Sequence, residues 1–281
     1  MIINGKEIAD AILERVKGEV ARMEKKPKVA AILVGAQKEM KRFLEIKEKM
    51  AVEAGMEYKW YEFPADITTA KLRQEVNKIA KQKSIDGIIL ELPLPEHINQ
   101  QVVLNAIPQE KDPDVLSQKA QGAFFVGRSS VMPPCPAAVK AILNWYKIDV
   151  VGKRAVVFGY GLLVGRPAAH MLASMKASVI VIARHDPDQA ELSRQADIIV
   201  TGTGKVKMIT ADMVKPSAVV MDFGYGRADG KISGDVDFEA VNKKAALVTP
   251  VPGGVGPLVC AVALENIVTL LHGLNNISSD Q

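Results

Sequence analysis

The sequence predicts two α/β lobes around a cleft, each built on a parallel sheet, and three observations carry that prediction. From Lys28 to about Ala106, short apolar runs alternate with longer helical patterns. After the Pro-rich passage Met132-Pro133-Pro134-Cys135-Pro136 and a helical run to Tyr146, the alternation restarts. Within the second series, a glycine turn, Gly159-Tyr160-Gly161-Leu162-Leu163-Val164-Gly165, joins an apolar run to an apolar-periodic segment. Strand and helix alternating in this way is the mark of βαβ units. A chain of 281 residues is long for one domain and comfortable for two.

The elements follow in order. A first helix is expected at about Glu7 to Glu24, then a strand at Val29 to Val34, a helix from Lys38 to Ala54, a strand at Tyr58 to Phe63, another helix, and a strand at Ile85 to Leu92. In the second lobe strands are expected at Arg154 to Phe158, Ser178 to Ile182, Asp197 to Val200, Ala218 to Asp222 and Ala246 to Val248. Pro257 to Leu274 reads as a long apolar helix with no strand after it, free to pack back on the first lobe beside the first helix. The expected division is 1–135 with the closing helix 257–274, and 136–256.

Composition narrows the function classes. No run of about 18 uninterrupted apolar residues is present, and the start lacks a signal-peptide pattern, so a soluble, cytoplasmic protein with no membrane partner is expected. The net charge of +4 comes from interspersed Lys and Arg, without the basic block that nucleic acid would ask for. Cys135 and Cys260 form no CxxC and read as buried thiols, and none of the four histidines has a second ligand at metal spacing, so no metal is expected.

The glycine turn points to a nucleotide. Glycine lets the backbone approach a pyrophosphate whose charge rests on the following helix N-terminus, which makes the second lobe a Rossmann-type dinucleotide-binding domain. Tight strand-to-helix packing with no ligand is the plainer alternative. Cofactor choice follows from the next strand, which ends Ile182-Ala183-Arg184-His185. Arginine there suits a 2′-phosphate and favours NADP, while Asp186 close behind keeps NAD in view.

In the first lobe Lys47 is the anomaly. Met40, Phe43, Leu44, Met50, Ala51 and Ala54 form one apolar stripe, and Lys47 falls in its middle although Lys41, Arg42, Glu45, Glu48 and Lys49 already supply a solvated face. It either lays its stem on apolar surface with its head in water, or pairs, or acts. Glu91, at the end of an apolar run, belongs on the same rim, because ligands sit at the carboxyl ends of parallel strands; a carboxylate capping the strand in solvent is the bland reading. If the two meet, the carboxylate favours the charged lysine and opposes its use as a base. Asp114, in the turn Lys111-Asp112-Pro113-Asp114, is a candidate acceptor for an NH-rich ring, and Thr249 to Pro257 is too rigid and glycine-rich for a mere connector.

Together these residues resemble the methylenetetrahydrofolate dehydrogenase/cyclohydrolase family. The likeness runs from Val34-Gly35 through Asp86-Gly87-Ile88, Leu92-Pro93-Leu94-Pro95, Lys111-Asp112, Val164-Gly165-Arg166-Pro167 and Gly234-Asp235-Val236 to Pro250-Val251-Pro252-Gly253-Gly254-Val255-Gly256-Pro257. It implies oxidation of 5,10-methylenetetrahydrofolate with NADP and hydrolysis of the methenyl product to 10-formyltetrahydrofolate, in a homodimer whose partners are tetrahydrofolate derivatives. It implies that Lys47, Asp114 and Glu91 form the catalytic set, and that Phe43, Leu92, Pro252, Gly253 and Gly254 meet substrate. Gly159, Tyr160, Gly161, Val164, Gly165, Arg166, Arg184 and Tyr225 would flank the cofactor. The chain departs from the family at Phe43 for tyrosine, Met40 for serine, Glu91 for glutamine and Val259 for threonine, and it carries extra residues before Val126-Gly127-Arg128. The missing hydroxyl at Phe43 removes a partner for Lys47, which hydride transfer tolerates better than proton transfer, so a weakened hydrolytic step is expected. Two further readings stand beside this one: a dehydrogenase of another pterin or cyclic amine, and a non-catalytic nucleotide-binding paralogue.

Overall fold

The computed structural model describes residues 1–35, 38–228 and 230–279. In chain order it holds α1 (Gly5–Ala21), β1 (Lys28–Val34), α2 (Lys38–Glu53), β2 (Glu57–Phe63), α3 (Thr69–Ala80), β3 (Gly87–Leu90), α4 (Gln100–Leu104) and α5 (Gln118–Phe125). There follow α6 (Pro134–Trp145), β4 (Arg154–Phe158), α7 (Gly165–Ser174), β5 (Ser178–Ile182), α8 (Gln189–Arg194), β6 (Ile198–Thr201) and β7 (Val219–Asp222). The chain closes with β8 (Gly226–Ala228), β9 (Lys231–Ser233), α9 (Phe238–Asn242), β10 (Leu247–Val248) and α10 (Val255–Ser279). Two compact units divide it: Met1–Ala9 with Cys135–Val259, and Asp10–Pro134 with Cys260–Gln281.

In the β1–β3 unit the sheet order is β2-β1-β3, and both pairings are parallel. Six of the seven residues of central β1 are buried, because side chains on both of its faces are covered. Edge strand β2 is never fully buried and carries Lys59, Tyr61 and Glu62. Strand β3 stops at Leu90 rather than running to Leu92. Glu91 still donates its amide to the Ile32 carbonyl at 3.0 Å, but Pro93 has no N–H with which to continue a ladder. The residues before Val126 fold as α5, whose N-cap Ser117 accepts from the Ala120 amide.

Helix α10 is longer than its sequence pattern suggested. Its 255–273 stretch has the length and hydropathy of a membrane span, yet 61% of that stretch is buried, as in a core helix. Ile267 lies against Gly87 so closely that a Cβ on Gly87 would come within 2.8 Å of it. One turn of α10 also carries Asn266, 6% exposed, whose Nδ2 donates to the carbonyls of Pro113 and Met132, both at 2.8 Å. Those carbonyls belong to loops that no strand or helix pairs, so this one amide fastens both.

In the β4–β10 unit five parallel strands take the order β10-β7-β6-β4-β5. The chain leaves β4 toward β5 on one side and returns to β6 on the other, so the strand order reverses between β4 and β6. In open sheets of this kind the ligand crevice lies at the carboxyl ends of the two strands that flank the reversal. Val156, Phe158, Ile199, Val220 and Val248 form the centre of its core, each 1% exposed or less. The antiparallel hairpin of β8 and β9 is an addition that the apolar pattern gave no sign of, its three-residue strands being too short for periodicity to register.

Replacing Asn266 with Leu takes the donor from the buried Pro113 carbonyl and the partly buried Met132 carbonyl at once. The variant is expected to lose about 2–4 kcal/mol, read as a lower urea midpoint at unchanged m-value.

Candidate active site

Periodicity placed Lys47 on the buried face of α2, and the structure shows what receives it. Met40, Leu44, Met50, Ala51 and Ala54 are all buried, with the Lys47 side chain only 13% exposed among them. Its Nζ donates to Glu91 Oε2 at 2.7 Å, and the Glu91 side chain is 10% exposed. The lysine therefore does not reach for water, and the carboxylate does not cap a strand in solvent. Glu91 comes directly after β3 with its amide still bonded to β1, so the strand end aims it. Burial by itself would drive the Lys47 pKa down; Glu91, Asp114 and Cys260 outweigh that and hold it above the ordinary lysine value. The ammonium is thus fixed as a cation.

Asp114 reaches the same cluster by a braced turn. Upstream, the buried Asp112 carboxylate accepts the amides of Leu116 at 3.0 Å and Ser117 at 2.8 Å, while Asn266 grips the Pro113 carbonyl. The turn needs Val115 at φ 56°, a left-handed conformation that a β-branched side chain adopts only under constraint. Burial pushes the Asp114 carboxyl up to about 6, Lys47 opposing the rise and Asp112 and Glu91 adding to it. Phe43 lies one helical turn before Lys47 on the same face of α2, and Leu92 one residue past Glu91; both are half-buried.

Sequence reasoning passed over four members of this neighbourhood. Asp112 and Asn266 act through backbone groups, which no side-chain pattern reveals. Cys260 is buried with its thiol pushed up to about 11, burial dominating the pull of Lys47. The Tyr58 hydroxyl, in the field of Lys47, Glu91 and Asp114, is buried with no hydrogen-bond partner among the described residues. The other cysteine corrects an expectation: Cys135 is partly exposed at the start of α6 rather than buried.

The glycine turn forms as the phosphate-binding reading requires. Gly159 holds φ 83°, and a Cβ on Gly165 would run into the Gly159 carbonyl, so β4 turns into α7 through a path open only to glycine. Arg166 donates its Nε to the Tyr160 carbonyl at 3.0 Å and lays its guanidinium 5.3 Å from the Tyr160 ring centroid. Gly161 has open space at its Cβ position, and Val164 stands at the N-cap of α7, where the Arg166 amide turns back on the Gly161 carbonyl at 3.1 Å and Pro167 carries no N–H. These residues fit a dinucleotide. Arg184 is exposed two residues beyond β5. Asp186, two residues further on, accepts the Asp188 amide on Oδ1 at 2.9 Å. Tyr225 is 37% exposed. Pro252 and Gly253 are exposed and Gly254 is buried with its carbonyl facing Gly5, all in the β4–β10 unit.

Comparison with known proteins places both units. Residues 3–114 match the family described as tetrahydrofolate dehydrogenase/cyclohydrolase, catalytic domain, and residues 133–274 match its NAD(P)-binding domain. A bifunctional protein FolD from Fusobacterium nucleatum is 39% identical over 273 residues, covering 95% of this chain and 96% of its own length. The bifunctional enzyme FolD of Campylobacter jejuni superposes with a TM-score of 0.93 at 36% identity, covering 98% of this chain and 99% of that one. The Trypanosoma brucei dehydrogenase-cyclohydrolase, solved with NADP cofactor and inhibitor, gives 0.92 at 31% identity, covering 98% of each. The chain belongs to the tetrahydrofolate dehydrogenase/cyclohydrolase family.

Proposed function

We propose that this chain oxidises 5,10-methylenetetrahydrofolate with NADP and that its hydrolysis of the methenyl product is the slower of the two family reactions. The observation that carries this reading is the buried pair of Lys47 and Glu91 at 2.7 Å. NADP, when bound, supplies the hydride acceptor; the Gly159–Gly165 turn, the α7 N-terminus and Arg184 are the residues that would hold it. The β1–β3 unit binds folate, with ionised Asp114 accepting from the NH-rich pterin ring and Phe43 offering a face for stacking. Hydride transfer asks of these residues mainly alignment. Hydrolysis asks more: a group must take a proton from the attacking water and return one to nitrogen. Lys47, held protonated by Glu91, is a poor acceptor for the first of these transfers. The protein is proposed to act as a cytoplasmic homodimer, and the likeness over both domains disfavours another pterin substrate or a non-catalytic role.

With methylenetetrahydrofolate and NADP⁺, reduced cofactor is expected to appear while the methenyl species accumulates. Hydrolysis keeping pace with oxidation would sink the proposal. Glu91→Gln releases the hold on Lys47, and hydrolysis should then rise about tenfold relative to oxidation; an unchanged ratio would show that the pair does not control the second step.

The pH dependence follows from Asp114. Its folded pKa is raised to about 6, so the accepting carboxylate forms only as pH climbs through that value. The kcat/KM for folate is expected to rise between about pH 5 and 7 and then level off. Asp114→Asn should abolish that rise and lower kcat/KM by about a hundredfold or more.

A further inference from the structure

The β4–β10 unit contains a buried carboxylate that the reaction does not use. Asp235 is 0% exposed, and its Oδ2 accepts three hydrogen bonds. They come from the Thr201 hydroxyl at 2.7 Å, the Thr203 amide at 2.6 Å and the Thr203 hydroxyl at 2.9 Å. Both threonines sit where β6 ends, beside the point at which strand order reverses. The segment they hold packs directly on the glycine turn. A Cβ on Gly202 would come within 2.9 Å of the Val164 side chain, and the Thr203 methyl lies 3.4 Å from the Cβ position of Gly159.

Asp235 is fixed from behind. Asp222, at the end of β7 and 1% exposed, accepts the amides of Asp235 at 3.1 Å and Gly224 at 2.7 Å on Oδ1, and that of Val236 at 2.9 Å on Oδ2. Gly224 has to be glycine, since a Cβ would overlap the Asp235 carboxylate. The carboxyl end of β7 is thereby tied through the 234–236 segment and one carboxylate to the carboxyl end of β6, and from there by packing to the turn after β4.

We propose that Asp235 is a positioning residue for the dinucleotide, holding Gly202 and Thr203 against the Gly159–Gly165 turn so that both walls of the crevice are set before cofactor binds. Burying a carboxylate is costly, and three donors on one oxygen are more than the fold needs to end a four-residue strand. Rigid walls account for the arrangement, because a preformed site saves the ordering that binding otherwise costs. Asp235 acts here through Thr203 and touches no reacting atom. The inference rests on the reading of this unit as the NADP site.

The test is Thr203→Val in the full-length protein, which keeps the methyl against Gly159 and removes the hydroxyl donor. Direct titration with NADP⁺ and with reduced cofactor should give a Kd about tenfold higher, with folate KM, and kcat at saturating cofactor, unchanged; one hydrogen bond to a charged acceptor is worth about that factor. Asp235→Asn keeps an acceptor oxygen and should weaken the cofactor less than Asp235→Ala does, and the comparison stands on Thr203→Val alone should the alanine variant fail to fold. Unchanged Kd in Thr203→Val, or equal losses for cofactor and folate, overturns the proposal. Wild-type protein that binds no dinucleotide at all would instead overturn the reading beneath it, and the proposal with it.

Discussion

A single ammonium buried between carboxylates organises the β1–β3 unit. Taking Lys47 out of water is unfavourable by several kcal/mol, and the contact with Glu91 offsets this only if both groups are held in place. The scaffold does so from both sides. Helix α2 buries Met40, Leu44, Met50 and Ala51 around the lysine stem, and strand β3 delivers Glu91 while its amide is still bonded to β1. The third charge, on Asp114, needs more scaffolding because it stands on a loop. Asp112, Asn266 and the left-handed Val115 are the elements that hold it. Strain at Val115 is tolerable because three donors, the Leu116 and Ser117 amides and the Asn266 side chain, over-determine the turn.

How far this was legible in the sequence depended on the range of the interaction. The position of Lys47 within an apolar stripe is a local fact, readable because helical spacing repeats within a few residues. So is the glycine turn, and strands β4 and β5 fall where the apolar runs lie. The Lys47–Glu91 contact spans 44 residues and joins a helix to a strand end, so sequence could offer both partners and the consequence of their meeting, without the meeting itself. Asp112 and Asn266 were invisible for a different reason. Their work is done on backbone amides and carbonyls, which every residue has, and nothing in a side-chain pattern says which ones will be left for a loop to satisfy. Cys135 looked buried because cysteine usually is, but its place at the start of α6 leaves it partly open.

The two units solve a similar problem by opposite means. In the β4–β10 unit the residues proposed to receive the cofactor are bare glycine backbone in the turn after β4 and the exposed Arg184 beyond β5. The buried carboxylates there, Asp222 and Asp235, satisfy backbone and hydroxyl donors. In the β1–β3 unit Asp112 does the same for the Leu116 and Ser117 amides, whereas Glu91 faces a side-chain cation, Lys47, instead.

That difference bears on the order of the two reactions. Removing hydride from a carbon between two nitrogens leaves a cation, whereas adding water to that cation discharges it. With Lys47 positive, Glu91 negative and Asp114 ionised above about pH 6, the cluster carries an excess of one negative charge. A site with glutamine in place of Glu91 would have no such excess. Negative charge at low dielectric stabilises the cation and the transition state leading to it, and by the same interaction it deepens the well from which water attack must climb. On the proposed reading, a carboxylate in place of one amide would move the two steps in opposite directions, and the raised pKa of Lys47 would reinforce the second effect.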